Sequence, residues 1–252
     1  MNNIVIDAVT VDPKGKQMIY ITGDTHGRND VLKLRNNRTL LNSNKEDYLI
    51  IAGDFGGVWD GNWQDRVVQS FYNEQLYTTL FIDGNHENFD LLIQYPVDYW
   101  NGGKVHRISE KIIHLMRGQV FTIADKSIFT FGGGLSIDKI YRTPGLNWWP
   151  QEDPSECEWG EAMDNLERYS FQIDYIVTHA GPESIVRNEI HSMHKLLRLD
   201  CRTEKFLDKV LESVNYKHWF CGHYHFDMEI PNRNLTVLYQ KVFNMINCAE
   251  IE

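Results

Sequence analysis

Four apolar runs of this chain stop at a glycine that is followed at once by aspartate, asparagine or histidine, and a fifth runs directly into a histidine. "MIYIT" enters Gly23-Asp24-Thr25-His26-Gly27, "YLIIA" enters Gly53-Asp54-Phe55-Gly56-Gly57, and "TLFID" enters Gly84-Asn85-His86-Glu87. "DYIVT" enters His179-Ala180-Gly181-Pro182, and "HWFC" enters Gly222-His223-Tyr224-His225. The runs read as buried strands. Glycine lets the backbone turn sharply and lets another group approach closely, and each following side chain offers an oxygen or an imidazole nitrogen of the kind that binds metals. Asp24 with His26, and His223 with His225, are two residues apart and would share a face in extended chain. A single Asp-x-His is most simply a turn aspartate beside a surface histidine. Unrelated turns, however, have no reason to repeat such an ending five times.

Between several strands lie helix-like segments: "DVLKLRNNRTLL" (30–41), "NWQDRVVQSFYNEQL" (62–76), "NFDLLIQ" (88–94) and "TEKFLDKVLESV" (203–214), the last with Phe206, Leu207, Val210, Leu211 and Val214 on one face. Strand, helix, strand is the rhythm of an α/β sheet covered on both faces, with right-handed crossovers. From about 104 to 132 the rhythm changes to consecutive strands, which predicts a second, more antiparallel sheet packed into the same domain. The chain of 252 residues has neither a repeat nor a linker and reads as a single domain over 1–252 with an inserted loop at about 131–154. In such sheets ligand and catalytic groups gather outside the carboxyl ends of the strands. Charge counting favours two divalent ions there. Their four positive charges, less two for Asp24 and Asp54, leave room for a hydroxide and a phosphate.

Composition narrows the remaining classes. The residues are 42% hydrophobic and 24% charged, so no part of the chain is expected to be disordered beyond its termini. A formal charge of −10 without a long basic run gives duplex nucleic acid no electrostatic attraction to the molecule as a whole. The opening "MNNIVIDAVTVD" lacks a basic segment, and no apolar run approaches the roughly 18 residues that span a bilayer, so a cytoplasmic protein without a membrane partner is expected. Cys157, Cys201, Cys221 and Cys248 form no CxxC pair and read as reduced, structural thiols.

The motifs "GDTHG" (23–27), "GDFGG" (53–57), "GNHE" (84–87), "THAGP" (178–182) and "GHYH" (222–225) stand in the order of the calcineurin-like metallophosphoesterase family, which the chain resembles from residue 23 to residue 225. The resemblance implies a four-layer α/β sandwich, two mixed β-sheets flanked by α-helices. It implies that Asp24, His26 and His225 hold one metal ion, that Asn85, His179 and His223 hold a second, and that Asp54 bridges them. A hydroxide between the ions would be the nucleophile, and His86 would face the scissile phosphate as general acid or transition-state donor. The donor set, without thiolate, favours Mn, with Fe or Zn as alternatives. The expected substrate is a small phosphomonoester or phosphodiester, with a nucleotide as a candidate.

One departure is informative. The phosphoprotein phosphatase branch continues its second motif as GDxVDRG, supplying a phosphate-binding arginine and an acid that orients the GNHE histidine, whereas this chain reads "GDFGGVWDGNW". Asp60 and Asp83 are the candidates left to orient His86. A protein or nucleic-acid phosphatase is therefore the weaker enzyme reading, and a non-catalytic scaffold on the same fold is disfavoured because every ligand position and His86 are kept.

The loop "FGGGLSIDKIYRTPGLNWWPQEDP" (131–154) is of a length that is commonly functional. Arg142 or Lys139 is the candidate to bind a substrate phosphate, and Trp148 or Trp149 to stack on a base, against the alternative that the tryptophans pack on the scaffold. Arg28 is a further phosphate candidate. His191 and His194, three apart, would rim the pocket or be solvated, while His106, His114 and His218 read as structural.

Overall fold

The computed structural model describes residues 17–190 and 200–252. His191 and His194 lie outside them. Among the described residues the strands are β1 (Ile19–Thr22), β2 (Tyr48–Ile51), β3 (Thr78–Phe81), β4 (Val97–Trp100), β5 (Gly103–Arg107), β6 (Ile112–Leu115), β7 (Gln119–Ile123), β8 (Lys126–Phe131), β9 (Gln172–Thr178), β10 (Asn215–Cys221), β11 (Met228–Ile230), β12 (Leu235–Val237), β13 (Val242–Asn244) and β14 (Ala249–Glu250). They form two mixed sheets. One has the order β14-β13-β1-β2-β3-β6-β5-β4 and the other β11-β12-β10-β9-β8-β7.

Alternation along the strands explains the layering. Ile19 and Ile21 of β1, Ile50 of β2 and Leu80 of β3 point between the sheets, where they meet Phe121, Ile128, Tyr175, Val177 and Phe220 of the second sheet. Tyr20, Leu49, Ile51 and Phe81 point the other way, against Val68 and Tyr72 of helix Trp63–Asn73. The outer face of the second sheet, with Phe129, Phe131, Ile176 and Trp219, is covered by helices Glu156–Arg168 and Arg202–Ser213. Burial on both faces is why these strands read as nearly continuous apolar runs. The result is helix, sheet, sheet, helix.

Three segments differ from the sequence reading. The run from 104 to 132 is not one sheet: β5 and β6 extend the first sheet, whereas β7 and β8 begin the second, whose central pairs β8·β9, β9·β10 and β10·β12 are parallel. Short antiparallel strands carry no local signal that says which of two sheets they join. Segment 30–41 is two short helices, Leu32–Arg35 and Arg38–Leu41, because Asn37 accepts from the amide of Leu40 at 2.9 Å and starts a new helix. Helix Glu156–Arg168 was not anticipated, although Ser155 and Glu158 form a reciprocal capping box.

Register brings the functional ends level. Thr22 pairs with Ile51 and Ile51 with Phe81, while Thr178 pairs with both Phe131 and Cys221. The five endings therefore open onto one edge of the sandwich. No helix among the described residues is long and apolar enough to cross a membrane.

Candidate metal centre

Backbone and side-chain contacts between the five loops set the site before any metal is considered. The amide of His26 donates to Asp54 O at 2.8 Å and that of Gly27 to Phe55 O at 2.9 Å, joining the first loop to the second. Asp54 Oδ1 accepts from the His86 amide at 2.7 Å, and Asp24 Oδ1 from the His223 amide at 2.9 Å, so each carboxylate is held by a different loop. Extended chain is not the means. His26, Asp54, His223 and His225 have φ values of 42°, 50°, 73° and 57°, a left-handed conformation that costs non-glycine residues energy and clusters at functional sites. Glycine is needed where loops touch: a Cβ on Gly53 would lie 2.1 Å from His179 Nδ1, and one on Gly84 would lie 2.0 Å from Asp54 Oδ1.

Two groups of donors result. Ligand atoms of Asp24, His26, Asp54 and His225 all lie within 4.8 Å of one another. Beside them, His179 Nε2 is 3.0 Å from Asn85 Oδ1 and 3.5 Å from Asp54 Oδ1, and the His223 ring stands edge-on to His179 at 4.9 Å. His179 Nδ1 lies 2.8 Å from the carbonyl of Ala52, which can only accept, so Nδ1 carries a proton and Nε2 is the nitrogen turned toward Asn85. Asn85 Nδ2 donates to Ser136 Oγ at 3.0 Å, which turns its oxygen toward that same nitrogen.

This arrangement fits cations. Asp24 Oδ2 and Asp54 Oδ2 are buried and receive no hydrogen bond, although His225 Nε2 and His26 Nε2 are 3.1 Å and 3.3 Å away. Lone pairs gathered in this way around shared points are costly unless something positive lies among them. The carboxylates and imidazoles also shift one another. Burial would raise Asp54, but His179, His26 and His86 around it hold its carboxyl far below the usual range. Burial would lower His26, yet Asp54, Asp24 and Asp30 push it up to about 9. His223, buried and beside His179, is drawn down to about 3 and so offers a neutral ring.

Several supporting residues were not singled out from the sequence. Asp30 Oδ2 lies 2.7 Å from His26 Nδ1 and fixes that ring, and Tyr239 donates to Asp30 Oδ1 at 3.0 Å while stacking on His225 at 5.0 Å. Lys33, whose pKa burial lowers to about 8, donates to Asp24 O at 2.7 Å and also to Tyr239 O. The four-residue spacing of His26 and Asp30 was a readable signal. The contact of Tyr239, more than 200 residues away, was not.

His86 departs from expectation in its partner. Asp83 cannot orient it, since Oδ2 takes Arg117 Nε and Nη2 at 2.8 Å and 2.6 Å and Oδ1 faces His114 Nε2 at 3.2 Å. Asp60 lines the cleft beside His86. The group actually on the His86 ring is Arg142, with Nη1 3.1 Å from Nδ1 and Nη2 3.4 Å from Nε2, itself held by Asp138 through bonds of 2.7 Å and 2.8 Å. Burial, followed by the charge of Arg142, lowers the His86 pKa against the pull of Asp54. Arg28 lines the same cleft. Lys139 and Trp148 line a separate hollow with Glu152 and Cys201, and Trp149 is buried, donating to Asp90 at 2.8 Å and packing on Trp59. His106 and His114 face each other at 3.0 Å, and His218 bonds Thr236 at 2.8 Å, within their strands.

Residues 18–227 match the model of the calcineurin-like phosphoesterase family, and the chain belongs to that family. It is accordingly a phosphoric ester hydrolase of a group that depends on a pair of metal ions. Among solved structures it is similar to phosphopantetheinyl hydrolase from Mycobacterium tuberculosis, at 13% identity and a TM-score of 0.43, over 89% of this chain and 88% of that one. It is also similar to a candidate 5′-nucleotidase from Staphylococcus aureus, at 14% identity and a TM-score of 0.46, over 93% of this chain and 52% of that one. This chain thus spans about half the length of the second protein. No curated protein matches it in sequence.

Proposed function

We propose that this protein hydrolyses a small phosphomonoester or phosphodiester at a dinuclear metal centre, with a nucleotide as the favoured substrate. Asp24, His26 and His225 would hold one ion and Asn85, His179 and His223 the other, with Asp54 available to both. The observation that carries the reading is the pair of buried carboxylate oxygens on Asp24 and Asp54 that face imidazole nitrogens without a hydrogen bond. When bound, two divalent ions activate water and neutralise the phosphate through an in-line displacement. Mn is favoured over Fe or Zn.

The chain's own groups do the rest. The Asp54 carboxylate, which accepts the His86 amide, ties the position of that ring to the metal centre. Arg142 stands against both nitrogens of the His86 ring, with Nη1 3.1 Å from Nδ1 and Nη2 3.4 Å from Nε2, and holds in place the imidazole that would give a proton to the leaving oxygen. Arg28 in the cleft lining and Arg142 on the His86 ring place positive charge near His86, where it would favour a phosphate.

The test is the initial rate of Mn-loaded protein on an aryl phosphomonoester and its matching diester, with metal content measured on the same samples. Asp54→Asn should abolish turnover and lower bound metal. His86→Ala should cut kcat by roughly 10²–10⁴-fold with both ions retained. Wild-type rates in the first variant, or loss of metal in the second, would refute the assignments.

A further inference from the structure

A cleft of about 330 Å³ is lined by His26 of the metal centre and by His86, and the motif roles leave another of its lining residues unexplained. That residue is Trp59. Its loop is built to hold the indole still. The Asp65 carboxylate accepts the amides of Trp59, Asp60 and Gly61 at 2.9, 3.1 and 2.8 Å, and Asn88 Nδ2 donates to Trp59 O at 2.7 Å. Behind it stands Trp149, edge-on at 5.4 Å and pinned by Asp90. The indole is only partly covered by these contacts and lies 6.5 Å, centre to centre, from the His86 ring. Polar side chains that can reach the edge of a flat ligand, Asn29, Asp60 and Gln64, line the same cleft.

We propose that Trp59 is the specificity-determining residue of this site: the base of a nucleoside monophosphate stacks on its indole while the phosphate lies between His86 and the metal-binding side chains. The inference rests on the phosphoesterase reading and adds the leaving group to it. A rigid aromatic face favours any planar heteroaromatic ring at little entropic cost, and a polar rim favours one with hydrogen-bonding edges, which describes a nucleobase better than an alkyl chain or a lone phenyl ring. Trp59 takes the part expected of Trp148 or Trp149, because the 131–154 loop turns Trp149 inward as the support of this platform.

Binding, not turnover, tests it. The probes are the phosphonate analogues of adenosine 5′-monophosphate and of ribose 5-phosphate, in which a methylene replaces the bridging oxygen, titrated calorimetrically into the Mn-loaded protein. The adenosine analogue should bind roughly tenfold or more tightly than the ribose analogue. That ratio should fall to near one in Trp59→Ala and largely survive in Trp59→Phe. A ratio near one in the wild type, a ratio undiminished in Trp59→Ala, or no binding of either probe would overturn the proposal. Because the probes cannot be hydrolysed, failure of the phosphoesterase reading shows separately, as absence of turnover on every ester.

Discussion

Replacing Arg117 by methionine should destabilise the protein by about 3–5 kcal/mol, the usual cost of removing one partner from a buried ion pair. Arg117 and Asp83 are 8% and 2% exposed, and the guanidinium donates twice to Asp83 Oδ2, once to Gln151 O at 2.8 Å, and lies over the Phe89 ring at 5.2 Å. Its contact with Glu158, a half-exposed side chain 3.3 Å away, adds little. Methionine keeps most of the volume but leaves Asp83 with His114 alone. For a chain of this size the loss corresponds to a drop in Tm of roughly 6–20 °C. The sign of the pH dependence separates charge from packing. Burial would raise Asp83, but Arg117 and His114 hold its carboxyl well below the usual range, so its contribution is present above the unfolded-state pKa and lost as pH falls through the lower folded one. Without Arg117 the carboxyl rises, and acid relieves the buried charge by protonating it. Urea unfolding at about pH 8 and about pH 5 should therefore give a smaller penalty at the lower pH, and Asp83→Asn combined with Arg117→Met should cost less than Arg117→Met alone. A penalty under about 1 kcal/mol, or one equal at both pH values, would refute the reasoning.

Three further outcomes are expected. Asp30→Asn removes the carboxylate that orients His26 and should weaken metal affinity by roughly 10–100-fold with the fold intact, as read by metal titration and circular dichroism. Gly84→Ala places a Cβ against Asp54 Oδ1 and the Asp54 amide, which cannot both yield, so activity should be lost and Tm lowered even though the change is one methyl group. Arg142→Ala removes a charge that lowers the His86 pKa, so the alkaline limb of the kcat/KM profile, where His86 loses its proton, should move to higher pH. A limb that stays in place would separate Arg142 from His86, and an unchanged kcat/KM on every substrate would also end its phosphate role.

Much of the candidate site was legible because metal-type donors follow the strand ends directly, and a strand end is the most visible boundary in an α/β chain. Asp24, Asp54 and Asn85 stand out as candidates from their own loops alone. Asp30, Tyr239, Ser136 and Arg117 were harder, since nothing marks a lone acid, hydroxyl or arginine until a distant loop arrives beside it. Trp59 and Trp149 make the point together: two tryptophans 90 residues apart look alike in sequence, and only their packing makes one a wall of the cleft and the other its support.

The amino-acid sequence by itself determined most of the strands, though not β4, the two-faced burial that requires helices outside both sheets, and the order of the motif-bearing loops, because these depend on local periodicity and on short spacings. Tertiary structure decided which sheet β5 to β8 join, the left-handed turns that aim His26, His223 and His225, and the contact of Arg142 with His86 across 56 residues. Those outcomes depend on where separate segments meet, and the free energy of such a meeting belongs to neither segment alone.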